Sequence, residues 1–178
     1  MSEPKISAPF ENSYWVASGQ LLAGEHPIDL SEDATMVRLT ALLDAGIRTF
    51  MDLTENRESI PSYSGLLRRV ATDRQIEVEI HRIPIPDRSA PSPETLKTIL
   101  DGIDQSIASK NPVFVHCFAG IGRTGTVVGC YLKRHRLASA ENVVAAISEL
   151  RSLMPCGGEA SPHTPEQIEL VMSWKEGS

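Results

Sequence analysis

From Val113 to Gly125 the chain reads Val-Phe-Val-His-Cys-Phe-Ala-Gly-Ile-Gly-Arg-Thr-Gly, an apolar run that breaks into small residues and then into a helical pattern. The expected arrangement is a strand, a tight loop and a helix. His116 and Cys117 stand at one end of the loop and Arg123 and Thr124 at the other. A thiol and a guanidinium so placed suit a phosphate monoester. Sulfur attacks as a thiolate, and a free Cys with pKa ~8.5 is mostly protonated at neutral pH; a helix N-terminus and a nearby cation lower that value to roughly 3.5–7.5. Cys117 is expected to have both. A helix starting near Gly122 turns its unpaired N–H groups and positive dipole end into the loop. Gly120 and Gly122 free the backbone to gather amides into an anion nest, so Phe118, Ala119, Gly120, Ile121, Gly122 and Arg123 are the candidate phosphate-binding residues. Arg123 can grip two phosphate oxygens with its planar fork, which Lys cannot copy. The Thr124 hydroxyl can hydrogen-bond the sulfur and improve it as a leaving group, and His116 is expected to order the loop rather than act as a base.

Phosphoryl transfer to sulfur leaves an alkoxide or phenoxide that needs a proton. Asp87 stands thirty positions before Cys117, in a loop stiffened by Pro84, Pro86, Pro91 and Pro93. It can supply that proton if loop closure over a water-excluding pocket keeps it neutral. The bland alternative is an Asp in a proline turn.

These residues match a known pattern. The loop resembles the His-Cys-x5-Arg-Ser/Thr signature of the cysteine-dependent phosphatases, and its Ala-Gly-x-Gly-Arg-Thr-Gly form is similar to the small dual-specificity and tyrosine phosphatase branch. Trp15-Val16 and Leu22-Ala-Gly-Glu-His-Pro27 resemble that family's N-terminal strands, and Ile83-Pro-Ile-Pro-Asp87 its general-acid loop, so the likeness runs over nearly the whole chain. The resemblance implies a phosphoprotein phosphatase working through a cysteinyl-phosphate, without a cofactor or metal, because loop amides and Arg123 supply the charge stabilisation. It also implies that Gln167, in Thr164-Pro-Glu-Gln167, faces the site and positions the hydrolytic water. The residues themselves offer a competing role: Thr164 and Gln167 fit a capping box with Pro165 in the first turn.

Substrate class rests on the variable loop positions Phe118, Ala119 and Ile121, all uncharged. Lipid-phosphatase relatives carry Lys there, so phosphotyrosine, with phosphoserine and phosphothreonine in a shallow cleft, is the expectation. A phosphoinositide or inositol phosphate is the alternative, favoured if Arg57, Arg82 or Arg88 converge on the pocket. A non-catalytic phospho-binding module and a sulfurtransferase are the readings from other classes.

Several elements must position this loop. Tyr14–Val16 and Gln20–Ala23 are short strand candidates, and Ser31 offers an N-cap to a helix that Gly46 stops, with Met36, Leu39, Leu42 and Leu43 on one face. Arg48–Leu53 reads as a buried strand and Glu77–Ile83 as another; Tyr63–Ala71 is a helix candidate. Ser92 and Pro93 open a helix with a stripe at Leu96, Ile99, Leu100, Ile103 and Ile107. Further helices are expected after the catalytic loop, from Ser139 and from Thr164. The alternation predicts an α/β fold: one domain over 13–178, with a central, mixed but mostly parallel sheet flanked by helices, after a flexible arm over 1–12.

Other polar clusters have plain explanations. The turn from Asp52 to Glu58 is preferred as solvated; the functional alternative has Asp52 or Glu55 bracing the catalytic loop or Arg57 meeting substrate. Arg68, Arg69 and Arg74 read as a solvated face, and Lys133–Arg136 as cations complementing a helix C-terminus.

The 178 residues are 41% hydrophobic, enough for one sizeable core. A net charge of −6 argues against nonspecific attraction to nucleic acid or an anionic membrane. No apolar run approaches a membrane span and Met1-Ser-Glu-Pro-Lys5 lacks a signal-peptide core, so a cytoplasmic monomer is expected. Cys117, Cys130 and Cys156 match neither a disulfide framework nor a zinc pattern. Cys130 reads as core and Cys156 as exposed, either able in principle to trap an oxidised Cys117.

Overall fold

A computed structural model describes residues 7–56 and 60–178. Five strands, β1 (Ser13–Ala17), β2 (Leu21–Gly24), β3 (Thr49–Asp52), β4 (Glu79–Arg82) and β5 (Val113–His116), form one sheet in the order β1-β2-β5-β3-β4. Only the β1/β2 pair is antiparallel; β2, β5, β3 and β4 run parallel. The helices are α1 (Glu32–Asp44), α2 (Ser64–Asp73), α3 (Pro93–Ala108), α4 (Gly122–Arg134), α5 (Val143–Arg151) and α6 (Pro165–Ser173). The expected single-domain α/β architecture is what forms.

Period-two alternation along β5 divides the interior into two cores. Val113 and Val115 face one layer with Leu96, Ile99 and Leu100 of α3 and Val127 and Val128 of α4. Phe114 faces the other with Leu39, Leu42 and Leu43 of α1 and Leu67 of α2. All four β5 side chains are buried, as expected of a parallel strand covered on both faces. The strand cannot shift register without swapping these two sets.

Local signals start and stop the helices largely as read. The Ser31 hydroxyl accepts from Ala34 N–H at 3.1 Å, and Gly46, at φ +90°, carries the chain out of α1. Ser92 caps α3 by accepting from Thr95 N–H at 3.1 Å. The helix expected from Ser139 begins instead at Val143, after a turn in which Asn142 Oδ1 accepts from Ser139 N–H. Within the basic clusters Arg69 pairs with Glu32, Arg74 with Asp44, and Arg134 with Asp101 and Asp104, while Lys133 is buried and donates to the Met172 carbonyl.

The arm expected over 1–12 is corrected where it is described. Residues 7–12 are held to the domain: Phe10 meets Phe114 edge-on at 5.9 Å, and Asn12 C=O accepts from Glu25 N–H at 3.0 Å.

The close approach of β2 to the loop after β5 fixes that loop's path. Phe118 C=O accepts from His26 N–H at 2.8 Å, and Gly120, at φ +70°, lies against Gly24. A Cβ on Gly120 would come within 2.5 Å of the Gly24 carbonyl carbon. Gly120→Ala is therefore expected to displace the loop and cost about 1–3 kcal/mol. Urea denaturation checks this; an unchanged midpoint would show that the contact does not constrain the loop.

Candidate active site

At the C-terminal end of β5 the chain passes into residues 117–121 and then directly into α4, so the unpaired first-turn N–H groups of α4 point back into the loop. Cys117 sits at the base of this loop, 3% exposed. Thr124, wholly buried on the first turn of α4, donates its hydroxyl to Cys117 Sγ at 3.1 Å. That contact stabilises negative charge on sulfur. The loop's far end is tied down by Ser161, whose hydroxyl donates to Ile121 C=O at 2.7 Å.

Arg123 is 2% exposed. Its Nη1 donates to Ile85 C=O at 3.1 Å, and Nη2 lies 3.1 Å from Asp87 Oδ1. Asp87 itself is 62% exposed, so one edge of a buried cation meets a carboxylate at the mouth of the site. The segment leading to Asp87 is stitched to the chain after β3: Ile83 N–H donates to Asp52 C=O at 2.9 Å and Ile85 N–H to Leu53 C=O at 3.1 Å. Phe118, 58% exposed, stands on the loop itself.

The turn read as solvated is instead structural. Asp52 is buried, and its Oδ1 accepts from Thr54 N–H at 2.9 Å and from the Thr54 hydroxyl at 2.6 Å. Arg82 closes over it, 3.6 Å from Asp52 Oδ2 and donating to Thr54 Oγ1 at 2.9 Å and Glu55 C=O at 3.2 Å. Glu55 Oε2 accepts from Asp87 N–H at 3.2 Å. A polar turn looks solvated in sequence because its partners, Arg82 and Asp87, lie about thirty positions away. Arg57 lies outside the described residues.

His116 is fully buried, and burial holds its imidazole below the ordinary 6.5, against the pull of the nearby Asp52 carboxylate. Its Nδ1 lies 3.2 Å from Cys117 C=O and its Nε2 2.8 Å from Tyr63 Oη. A carbonyl only accepts, so Nδ1 carries the proton and Nε2 accepts from Tyr63. The ring thus orders the start of the loop, and it is not placed as a base for the sulfur. His26, Asp52 and His116 bring ligand-type atoms within 4.8 Å of one another, yet both His116 nitrogens are engaged, so the trio reads as hydrogen-bonded support.

Gln167 is fully buried and completes the capping box of α6. Its Oε1 accepts from His163 N–H and Thr164 N–H, both at 3.1 Å, while its backbone N–H meets Thr164 Oγ1 at 3.3 Å. The water-positioning role is not realised in this arrangement, because the carbonyl oxygen is already spent on two amides. The side chain does reach the site by another route: Nε2 donates to Ser89 C=O at 3.0 Å, two residues beyond Asp87. Sequence reading missed this link, as it missed Ser161 and Tyr63, because each depends on residues brought together across 40 to 78 positions. The other cysteines are quieter. Burial pushes the Cys130 thiol up to about 12, so it is an inert core group, and Cys156 is half-buried rather than exposed.

The neutral His116 sets a pH dependence. As pH falls through 6.5 the unfolded chain takes up a proton that the folded ring resists, so stability declines toward acid, by at most about 1.4 kcal/mol per pH unit. Denaturation at about pH 7 and about pH 5 should show a smaller loss in His116→Gln than in the wild type; equal losses would assign the acid sensitivity elsewhere.

Comparison with known proteins places the chain among phosphatases by sequence and by fold. A sequence model described as "Polymorphic toxin system, DSP-PTPase phosphatase" matches residues 28–136, which include Asp87 and the whole Cys117–Thr124 loop. Dual specificity protein phosphatase CDC14B of Mus musculus is 39% identical over 102 residues, 54% of this chain and 19% of that protein. Phosphatidylglycerophosphate phosphatase PTPMT1 of Arabidopsis thaliana is 38% identical over 66 residues, 37% of this chain and 19% of that one. The chain thus spans about a fifth of the length of these relatives. Among solved structures, Tk-PTP in its active form superposes with a TM-score of 0.70 at 26% identity, covering 92% of this chain and 96% of that one. The match over more than half its length makes the chain a member of the DSP-PTPase phosphatase family of polymorphic toxin systems, in the small dual-specificity branch of the cysteine-dependent phosphatase superfamily.

Proposed function

We propose that the protein hydrolyses phosphate monoesters on phosphoproteins in two steps, with Cys117 as nucleophile. The observation that carries this reading is the convergence of Cys117 Sγ, Thr124 Oγ1, Arg123 and Asp87 on one loop, with Sγ 3.1 Å from the Thr124 hydroxyl and Asp87 3.1 Å from the guanidinium. A phosphate seated on the amides of residues 118–123 replaces Asp87 on the Arg123 fork, where bidentate charge-assisted hydrogen bonds favour it. Sulfur attacks phosphorus and the bond to the ester oxygen breaks. Asp87 in its acid form protonates the departing oxygen. In the second step water attacks the thiophosphoryl group, Asp87 accepts its proton, and the P–S bond breaks. The Thr124 hydrogen bond eases the departure of sulfur, and Arg123 with the loop amides holds the equatorial charge through both steps.

The substrate side supports a phosphoprotein. Phe118 offers an exposed aromatic face, Ala119 and Ile121 add no charge, and Arg82 is occupied by Asp52, Thr54 and Glu55 instead of being presented to a multiply charged head group. One observation favours the second reading, a lipid or inositol phosphate: the likeness to the Arabidopsis phosphatidylglycerophosphate phosphatase.

Phosphate release without metal and with reductant tests both readings, across phosphotyrosine, phosphoserine and phosphothreonine peptides and a soluble phosphoinositide. The expected outcome is turnover of phosphotyrosine peptides, slower turnover of the others, and none in Cys117→Ser. Asp87→Asn should lower kcat on peptides by about 10²–10⁴. Preference for the inositol lipid would overturn the substrate assignment, and phosphopeptide binding without turnover would make the protein a recognition module.

A further inference from the structure

The Gln167 side chain joins three parts of the molecule that lie far apart in sequence. Its Oε1 accepts from two amides at the N-terminus of α6, and its Nε2 donates to Ser89 C=O in the Asp87 loop. It also lies against the start of α4, since a Cβ on Gly122 would stand 3.0 Å from Oε1 and 3.1 Å from Nε2. Ser89 is itself turned back on the loop by donating its N–H to Pro86 C=O at 3.0 Å, so a hold on Ser89 is a hold on the Pro86–Ser89 turn that carries Asp87.

We propose that Gln167 is a positioning residue, a latch that keeps the Asp87 loop closed over the phosphate-binding loop. The latch closes one side of the loop, and Glu55 closes the other by accepting from Asp87 N–H at 3.2 Å. An exposed acid on a proline-rich loop has little burial to hold it, and these two hydrogen bonds, both to the loop's backbone, fix where the carboxylate stands without consuming it. Hydrogen bonding also sets which way the amide faces. The two N–H groups of residues 163 and 164 can only meet its carbonyl oxygen, which forces the NH2 toward Ser89. The Gln167 side chain is fully buried, so losing this bond leaves its amide N–H without a partner away from water.

The proposal rests on Asp87 acting as the general acid, and two variants separate the latch from the cap. Gln167→Glu retains both acceptor contacts at the helix N-terminus, where a carboxylate is favoured, but cannot donate to Ser89. Thr164→Ala removes the cap hydroxyl and leaves the Ser89 bond. Turnover of phenyl phosphate, whose leaving group needs protonation, is compared with that of 4-nitrophenyl phosphate, whose leaving group hardly does. In Gln167→Glu the rate on phenyl phosphate is expected to fall about tenfold or more while the activated ester loses less than about threefold, and Thr164→Ala should lower thermal stability with the ratio unchanged. Hydrogen exchange reads the latch without activity: the amides of residues 87–90 should exchange faster in Gln167→Glu and at the wild-type rate in Thr164→Ala. If Gln167→Glu does not fold, Gln167→Leu is read against Thr164→Ala as the control for the lost cap. Equal slowing of both esters, or no change in exchange at 87–90, overturns the latch. Faster exchange in a protein that turns over neither ester would keep the latch and remove the enzymatic reading.

Discussion

A cation buried to 2% exposure is the constraint around which the site is built. An ion taken out of water costs several kcal/mol unless it is paired and hydrogen-bonded, and the partners of Arg123 include the carbonyls of Leu53 and Ile85 and the Asp87 carboxylate. The carbonyl of Ile85 lies on a segment bonded in turn to Leu53, so the guanidinium is anchored by chain leaving the C-terminal ends of β3 and β4. The carboxylate comes from an exposed loop. A phosphate-binding cation is well served by main-chain acceptors from ordered segments together with a carboxylate from an exposed loop, because an incoming phosphate can then take the place of the carboxylate.

The parallel strands explain why these groups meet. In an open α/β sheet the C-terminal ends of the strands share one edge, and sites form there. Here β5 delivers Cys117, β3 delivers Asp52 and Leu53, and the chain after β4 delivers Ile85 and Asp87. Beneath them, a layer of rings steadies the loop: Tyr63 donates to His116, His116 to the Cys117 carbonyl, and His26 packs edge-on to both rings at 5.0 to 5.2 Å. Keeping His116 neutral avoids a second buried cation beside Arg123, and it leaves the imidazole's one proton committed to the backbone.

The Asp87 loop has the opposite character. It is exposed and rich in proline, and what holds it is polar: the carbonyls and amides exchanged with residues 52–55, the Glu55 carboxylate and the Gln167 amide. Hydrogen bonds of this kind are worth about 0.5–1.5 kcal/mol each net, so it takes several of them together to fix the loop in place. The buried loop around Cys117 and the exposed loop of Asp87 are therefore held by two different kinds of contact.

Much of this was legible in the residue order. The strand, loop and helix around Cys117 and the caps at Ser31, Ser92 and Thr164 are local, each set by side chains within a few positions of the backbone they serve. The apolar alternation that places β5 between two cores is local as well. The misreadings around the site and at residues 7–12 share one cause. Asp52 and Glu55 looked solvated because Arg82 and Asp87 arrive from other elements; residues 7–12 looked loose because Phe114 is a hundred positions away; and Gln167 carried two competing roles until the fold set Ser89 beside it. The sequence by itself determined which groups can do chemistry and which backbone holds them, since nucleophile, cation and anion nest lie within one loop. Only the tertiary structure decided how the acid, the ring layer and the Gln167 amide meet that loop, because those contacts cross between elements and no spacing along the chain encodes them.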